Sequence, residues 1–403
     1  MRRVLLFARL IIIMNYGKYV FAQIMEHLPR REFDAAVARY RGERYAKSFS
    51  CRDQFLAMTF GQLAYRESLR DVVTCLNAQR SKAYHLGFRS SVALPTLAHA
   101  NEERDWRIYR DLAEALIGEA RKLYVDEPAI AEDLDGACYA IDSSSIDLCL
   151  SLYPWAPYME TKGAVKLHTV MDLRGSIPTF FDMTSGKVHD VRFLDALLFE
   201  RDAFYVMDRG YLDFKRLHAI HAAGAFFVTR AKENLCFARR YSRPIDKAAG
   251  LRCDQVVFLT GIRGREKYPE TLRRIKYYDA ETDRTYVFLT NNFAVSAPSI
   301  ALLYKHRWKI ELFFRWIKQH LKVKVFWGRS ANAVKTQICI ALSTYLIVAI
   351  VKKRLHIERN LYEMLQILSV SLFDKSVAVD LFSVVDLQNS GEGSGNTLSL
   401  FDF

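Results

Sequence analysis

The pattern of residues after Asp135 constrains the fold of this chain more than any other feature. Three strand-like runs follow one another, separated by turn-prone segments: residues 138–150, 165–172 and 177–183. The next stretch alternates strand, helix and strand: residues 203–207, 212–222 and 225–229. Consecutive strands with short connections predict an antiparallel meander, and strand-helix-strand order after it predicts a mixed α/β sheet flanked by helices.

A helical region precedes the sheet. Over residues 14–130, apolar side chains recur at three- and four-residue spacing and β-branched runs are few, a pattern typical of helices. Ser48 or Ser50 is a suitable residue to begin one of these helices. Four arginines are spread along the region: Arg66, Arg70, Arg80 and Arg89. We interpret this stretch as an all-helical domain whose basic face either contacts DNA or is simply solvated, two interpretations of about equal weight.

Further segments are predicted around and after the sheet. Short alternating strands at residues 255–260, 274–278 and 285–289 predict a β-rich insertion over residues 231–292. Residues 135–230 with 293–330 form the main α/β domain. Helices follow over residues 331–380, and the Gly/Ser-rich residues 381–403 predict a flexible tail.

Two apolar stretches could suggest a membrane segment. Residues 1–13 are a poor signal peptide, because Arg9 interrupts the apolar run and no small-residue cleavage site follows. Since Met14 opens a more ordinary sequence, we interpret residues 1–13 as an extension outside the fold. The run at residues 338–351 is shorter than the roughly 20 residues of a membrane span and leads into three basic residues. It predicts a buried core helix, so no membrane partner is expected.

The charge balance favours a polyanionic partner. The chain has 58 Lys and Arg against 45 Asp and Glu, a formal net charge of +13 and a pI near 9.3. Such an excess favours nucleic acid, although anionic membrane surfaces attract the same charge.

The seven cysteines are scattered and form no C-x-x-C pair. Neither a disulfide framework nor a zinc site is therefore predicted, and a reducing cytoplasm fits best.

The segment at residues 304–318 has the most specific pattern in the chain. On one continuous helix, with about 100° per residue, four polar side chains fall in a single narrow stripe: Tyr304, Arg307, Glu311 and Lys318. An apolar, core-facing stripe runs directly beside it. Glu311 is thereby placed at the rim of a core, with groups that bind phosphate on either side of it along the helix. The alternative is a solvated face on which Arg307 and Glu311 form an ordinary i,i+4 pair.

These four residues also match a family signature. Their spacing is the Y-(2)-R-(3)-E-(6)-K pattern of the cut-and-paste insertion-sequence transposases of the IS-four family, which are DDE enzymes. Asp142, in Ala-Ile-Asp-Ser-Ser, lies in a segment that resembles the first-Asp strand of that family. Asp208, in Tyr-Val-Met-Asp-Arg-Gly-Tyr, lies in one similar to its second-Asp motif. Residues 289–292, Leu-Thr-Asn-Asn, resemble the segment that precedes the family's Glu-bearing helix.

The resemblance implies a fold, a reaction and a metal. The fold is a ribonuclease H-like mixed sheet flanked by helices, with the β-rich insertion before the Glu-bearing helix and an N-terminal all-helical domain that binds DNA ends. Asp142, Asp208 and Glu311 are the implied catalytic residues and the ligands of two Mg²⁺ ions, with Mn²⁺ as a substitute. Two such ions activate the attacking and leaving oxygens of a phosphodiester, and Mg²⁺ prefers hard oxygen ligands.

The resemblance also implies the partners. The substrate is double-stranded DNA, cut at the terminal inverted repeats of an insertion sequence and joined to target DNA by a homodimer assembled on the DNA. Tyr304, Arg307 and Lys318 are the implied phosphate contacts. Trp308 packs or stacks beside them, and Lys166, on a strand next to Asp142, is a weaker candidate for DNA contact.

Several alternatives stay open on the sequence alone. Asp147 competes with Asp142 because both lie on one strand, but they are on opposite faces, so only one can serve. Asp208 could belong to an Asp-Arg-Gly turn without a function. Another ribonuclease H-like nuclease would share the acidic triad, and a transposase-derived protein could bind DNA without catalysis.

Overall fold

The computed structural model of this chain describes residues 17–160, 162–320 and 326–383. The predicted extension at residues 1–13 and nearly all of the predicted tail at 381–403 lie outside the described residues. The domain boundaries drawn from the sequence stay predictions.

A single nine-stranded sheet forms the centre of the molecule. In chain order its strands are β1 (Cys138–Cys149), β2 (Lys162–Asp172), β3 (Ile177–Ser185), β4 (Phe204–Met207), β5 (Phe226–Arg230), β6 (Phe237–Ser242), β7 (Leu251–Leu259), β8 (Leu272–Asp279) and β9 (Arg284–Thr290). Their order across the sheet is β3-β2-β1-β4-β5-β9-β8-β7-β6.

The first five strands have the predicted ribonuclease H-like arrangement. β1, β2 and β3 pair antiparallel as a meander, whereas β4 runs parallel to β1 and β5 parallel to β4. Alternate residues of β1 serve two cores: Ala140 and Ile146 face a large core shared with long helices, and Tyr139 and Ile141 face a smaller one. The prediction of a mixed sheet flanked by helices is confirmed.

The β-rich segment at residues 231–292 continues the same sheet. β9 pairs antiparallel with β5, with Val228 opposite Thr290, and β8, β7 and β6 extend the sheet outward from there. The sequence predicted strands at the positions of β7, β8 and β9 but missed β6. β6 is an edge strand of mostly exposed residues, so it lacks the alternation of apolar residues by which half-buried strands are found.

The region before the sheet is helical, as predicted. Its α-helices are α1 (Val20–Met25), α2 (Arg30–Arg39), α3 (Cys51–Leu63), α4 (Leu69–Ala78), α5 (Leu94–Glu103) and α6 (Arg107–Leu123). Ser50 begins α3 through a capping box with Asp53: the Asp53 amide donates to the serine hydroxyl at 3.0 Å, and the Ser50 amide donates to the carboxylate at 2.9 Å. α6 packs against β3 and so joins this region to the sheet.

The remaining α-helices follow β4, β7 and β9. They are α7 (Phe214–Ala222), α8 (Ile262–Lys267), α9 (Ala297–His306), α10 (Trp308–His320), α11 (Ala331–Arg354), α12 (Leu361–Ser371) and α13 (Ala378–Phe382). α11 packs against α3, α5 and α6 on one side and against α10 and β3 on another.

α11 is a core helix. Within the described residues it alone is long and apolar enough to cross a membrane, yet 94% of its apolar window is buried inside the protein. Its side chains belong to the same large core as those of the N-terminal helices and of β1. The apolar run in this part of the sequence is therefore explained by packing within the protein, in agreement with the prediction.

Candidate functional site

Two aspartates lie side by side where β4 ends. In the parallel pairing of β1 and β4, Ile141 is opposite Met207. Asp142 is the next residue of β1, and Asp208 is the residue directly after β4. Alternation along β1 and β4 puts both aspartates on the sheet face of Ala140 and Val206, toward the large core. Asp147, the competing carboxylate of β1, lies on the other face and is exposed.

Glu311 reaches this face of the sheet from α10. The sequence predicted one continuous helix through residues 304–318, and that prediction is wrong at Arg307: α9 ends at His306, Arg307 follows as its C-cap, and α10 begins at Trp308. The Arg307 amide donates to the carbonyl of Tyr304, three residues back, at 3.1 Å, so the last turn of α9 is tightened. Lys309 fixes α10 to the sheet by donating to the carbonyl of Leu173 at 2.8 Å.

Arg307 connects the carboxylates of two elements. Its Nη1 donates to Asp142 Oδ2 at 3.2 Å, and its Nη2 forms a short hydrogen bond with Glu311 Oε1. The arginine side chain is only 14% exposed, against 20% for Asp142 and 32% for Glu311. The alternative interpretation of the sequence predicted that Arg307 and Glu311 form a solvated i,i+4 pair. The pair is instead half-buried, and the same guanidinium also contacts Asp142 on the sheet.

The surroundings of Asp142 change the pKa of its carboxyl group. The pKa of Asp142 is raised to about 6, first by burial and then by the negative charges of Asp208 and Glu311. The Ser143 amide, which donates to Asp142 Oδ1 at 2.8 Å, and the Arg307 charge act in the opposite direction. Burial and two neighbouring negative charges raise the pKa of this carboxyl group, and such a group is a candidate for binding a cation.

Asp208 accepts hydrogen bonds from two residues, Gly210 and Thr229, for which the sequence predicted no such role. The Gly210 amide donates to Asp208 Oδ1 at 2.7 Å, and Thr229, at the end of β5, donates to the Asp208 carbonyl at 3.0 Å. Tyr211 is buried beside the aspartates, and its pKa is raised well above the ordinary value by burial and by the Asp142 charge. Gly210 and Tyr211 are part of the recognised motif, whereas Thr229 has no sequence signal beyond its place at a strand end.

The segment before α9 is fixed by polar side chains. Asn291 continues the pairing of β5: its Oδ1 accepts from the Phe227 amide and its Nδ2 donates to the Ala225 carbonyl, both at 2.9 Å. Asn292 Oδ1 accepts from the Val295 amide at 2.8 Å. This accounts for the Leu-Thr-Asn-Asn segment, because its two asparagines orient the chain that enters the helices of the site.

The predicted DNA contacts are only partly gathered here. The Tyr304 ring packs against Arg307, with 5.6 Å from the ring centroid to the guanidinium carbon, and it is buried. Trp308 is 49% exposed, and Lys318 lies two turns beyond Glu311 on the same side of α10.

Lys166 is not brought to the site: it faces the other side of the sheet from Asp142, is buried, and pairs with Asp190 at 3.0 Å. A structural role for Lys166 explains these contacts.

The donor set suits a hard divalent cation. Three carboxylates from β1, the end of β4 and α10 supply oxygen ligands of the kind that Mg²⁺ prefers. Within the described part of the chain, however, no group of three His, Cys, Asp or Glu is already arranged to hold a metal. The Arg307 guanidinium pairs with two of the three carboxylates in this arrangement.

Comparison with known families matches two parts of the chain. Residues 134–347 match the family described as Transposase DDE domain, and residues 16–89 match a domain of unknown function, DUF4372. The first match covers the sheet and the helices that carry all the site residues described above. The second covers α1 to α4 and the turn after them.

Individual proteins are also similar. Transposase y4zB of Sinorhizobium fredii is 38% identical over 213 residues, which are 52% of this chain and 59% of that protein. The transposase for insertion sequence element IS5377 of Geobacillus stearothermophilus is 30% identical over 208 residues, 51% of this chain and 54% of that protein. Both of those assignments are themselves provisional, and this chain spans little more than half the length of either relative.

A solved structure, a piggyBac transposase synaptic complex with hairpin DNA, is similar over 93% of this chain and 82% of that chain. The identity is 12% and the TM-score 0.43, too low to support a common fold or function.

Proposed function

Because this chain belongs to the Transposase DDE domain family, we propose that it is a transposase that cleaves DNA at the ends of an insertion sequence and transfers the cut strand to target DNA. The reaction is phosphoryl transfer at Asp142, Asp208 and Glu311. One observation carries the proposal: carboxylates from β1 and α10 meet at the guanidinium of Arg307, beside Asp208 at the end of β4.

The three carboxylates would hold two divalent ions, Mg²⁺ or Mn²⁺. When bound, such ions supply an activated oxygen nucleophile and stabilise the leaving oxygen of the phosphodiester. The chain's own part is to keep the carboxylates in position. The Ser143 and Gly210 amides orient Asp142 and Asp208, and Lys309 fixes the helix that carries Glu311.

Cations around the carboxylates suit a DNA backbone. An open cavity of about 610 Å³ borders Asp208 and is lined by Arg209 and Lys232 among others. Arg307 lies at the junction of α9 and α10, Lys318 lies on α10, and Trp308 is exposed for packing against the DNA strand. Such groups offset phosphate charge and orient the strand without reading its sequence.

A cleavage assay tests the proposal. The purified protein is incubated with a supercoiled plasmid that contains the DNA flanking its gene, with and without MgCl₂ or MnCl₂. We expect metal-dependent nicking or excision that Asp142→Asn, Asp208→Asn and Glu311→Gln each reduce by at least about a hundredfold. Asp147→Asn is the matched control, because Asp147 is on the same strand but on the opposite face. Equal cutting by Asp142→Asn and the wild type would overturn the site assignment.

The same assay separates the alternatives. Cleavage without strand joining would indicate a nuclease, and DNA binding without metal-dependent cleavage would indicate a transposase-derived binding protein. Our proposal includes a homodimer assembled on two DNA ends, as the family resemblance implies. Mass photometry of the Asp142→Asn protein with end DNA tests this part, since a single copy on paired ends would contradict it.

A further inference from the structure

Three arginines of the N-terminal helical region, two on helices and one in a loop, gather at the first turn of α3. Arg52 is in that turn, and Arg30 is the first residue of α2. Phe33 and Phe55, each three residues further along its helix, pack with their ring centroids 5.9 Å apart, so that α2 contacts α3 next to both arginines.

The third arginine arrives through a tight turn. Gly87 has a positive φ of 97°, and a Cβ placed on it would lie 3.5 Å from Nη2 of Arg52. Two residues later, the amide of Arg89 donates to Asp53 Oδ1 at 3.4 Å. Arg89 therefore lies beside the same turn of α3 as Arg52.

The three guanidinium groups are poorly neutralised. In the described residues none of the three forms an ion pair, and the Arg52 Nε is buried without a hydrogen-bond partner. The pKa of Arg52 is lowered, first by burial and then by the charge of Arg30, with Arg89 acting in the same direction. Asp53 and Asp34 oppose this, because their negative charges offset part of the positive charge of the cluster. Three neighbouring arginines with no ion pair among the described residues are suited to an anionic ligand.

Further cations border the cluster. The loop between α2 and α3 presents Arg41, Arg44 and Lys47, all exposed, and one exposed carboxylate, Glu43, whose Oε1 accepts from the Cys51 amide at 3.3 Å. Gly42 in this loop lies against Cys51, the residue before Arg52: a Cβ on Gly42 would be 2.7 Å from Cys51 Sγ. The loop is thus held at the same end of α3, which enlarges the positive surface.

We propose that Arg30, Arg52 and Arg89 form a binding site for a backbone phosphate of duplex DNA, separate from the carboxylate site. Arg30 and Arg89 are exposed and Arg52 is half-buried, so the cluster is an open surface that suits a phosphate on an extended backbone. Arginine matches this ligand because its planar fork donates two hydrogen bonds to phosphate oxygens. The inference rests on the proposed function for the identity of the polyanion, and it assigns a ligand to the helical region.

The salt dependence of DNA binding tests this site. Binding of a fluorescein-labelled duplex from the flanking DNA is measured by fluorescence polarisation in EDTA over a range of KCl concentrations. All proteins contain Asp142→Asn to prevent cutting. We expect Arg52→Gln and Arg89→Gln each to weaken binding roughly tenfold at low salt. Each should also reduce the slope of log K against log salt by about 1, because one phosphate contact is lost.

Two variants serve as controls. Arg39→Gln removes one positive charge from α2, but that arginine already pairs with Asp111 at 2.5 Å, so its slope should stay that of the wild type. Arg52→Lys retains the charge and should recover most of the slope. Thermal melting identifies a variant that fails to fold, and Arg89→Gln at an exposed position keeps the test valid if Arg52→Gln does not fold.

The outcomes separate this inference from the proposed function. If Arg52→Gln and Arg89→Gln bind DNA like the wild type, while cleavage still depends on Asp142, the phosphate site is wrong and the transposase proposal stands. An equal loss in Arg39→Gln also overturns the site, because the effect is then one of net charge. If the wild-type protein binds no DNA, both proposals fail.

Discussion

Nη1 of Arg307 lies 3.2 Å from Oδ2 of Asp142, across 165 residues of sequence. Because Arg307 stands at the junction of α9 and α10, this contact ties the helix that carries Glu311 to the strand that carries Asp142. The same guanidinium also pairs with Glu311. The single positive charge of the arginine thus offsets part of the negative charge of the two carboxylates.

Replacing Arg307 should change how the protein responds to metal. We expect Arg307→Gln to lower the free energy of unfolding by about 2 kcal/mol in EDTA, since two charge-assisted hydrogen bonds are lost. MgCl₂ should then raise the melting temperature of the variant more than that of the wild type, because Asp142 and Glu311 are no longer paired. Thermal denaturation with and without MgCl₂ measures this. An equal metal-induced shift in both proteins would contradict the interpretation.

Gly210 leaves room for the Asp208 carboxylate. A Cβ on Gly210 would lie 2.8 Å from Asp208 Oδ1, too close for contact. Gly210→Ala should displace that carboxylate and slow DNA cleavage about tenfold to a hundredfold, since small misplacements of a reacting group are costly. Melting temperature should change little.

Gly118→Ala in α6 is the matched control for that substitution. A Cβ on Gly118 meets nothing within 4 Å, so we expect unchanged cleavage and a gain in stability of about 0.5–1 kcal/mol. Wild-type cleavage rates in Gly210→Ala would show that the position of Asp208 is not critical.

A buried ion pair stabilises the extension of the sheet. Arg273 and Asp254 are almost fully buried and bond through Nη2 and Oδ2 at 2.7 Å. Arg273→Met should destabilise the protein by about 3–5 kcal/mol, because Asp254 is left charged and buried. Urea unfolding measures the change. Arg110→Gln, which breaks the exposed pair with Glu114, should cost less than about 1 kcal/mol, and a similar cost for both variants would show that burial does not matter here.

His27 should make stability depend on pH. Burial, and secondly the Arg354 charge, lower the pKa of His27 to about 4, against about 6.5 in an unfolded chain. The unfolded state therefore binds the proton more tightly, and stability that is present above about pH 6.5 is lost as the pH falls toward 4.

The matched variant for this prediction is His27→Gln. Urea unfolding of both proteins at pH 7 and pH 4.5 should show an additional loss of roughly 1–2 kcal/mol in the wild type at the lower pH. The variant removes the titrating group, so loss caused by other groups is common to both proteins. An equal loss of unfolding free energy in the two proteins between pH 7 and pH 4.5 would exclude His27 as the cause.

Local patterns in the sequence were sufficient for much of the fold. The meander of β1 to β3, the helical N-terminal region and the core helix α11 all follow from the spacing of apolar residues. The opposite faces of Asp142 and Asp147 follow from strand alternation. Helix-start chemistry narrowed the beginning of α3 to Ser48 or Ser50, of which Ser50 is the cap.

The missed features depend on contacts that no local pattern contains. The pairing of β5 with β9 joins residues about sixty positions apart in sequence, so the sequence showed a β-rich insertion but not that it continues the sheet. The break at Arg307 has no Pro or Gly to indicate it. The burial of Lys166 against Asp190 likewise depends on a loop that returns to β2 from further along the chain.

The burial of α11 limits how related proteins can exchange their N-terminal helices during evolution. A helix that packs on the N-terminal helices and on the sheet at once cannot be assigned to either part. Recombination that exchanged the N-terminal helices between relatives would have to bring a compatible α11 as well, although the two segments are far apart in the gene. We expect substitutions in α11 to covary with those in α3 and α6, and chimeras joined near residue 130 to be recovered mainly as insoluble protein.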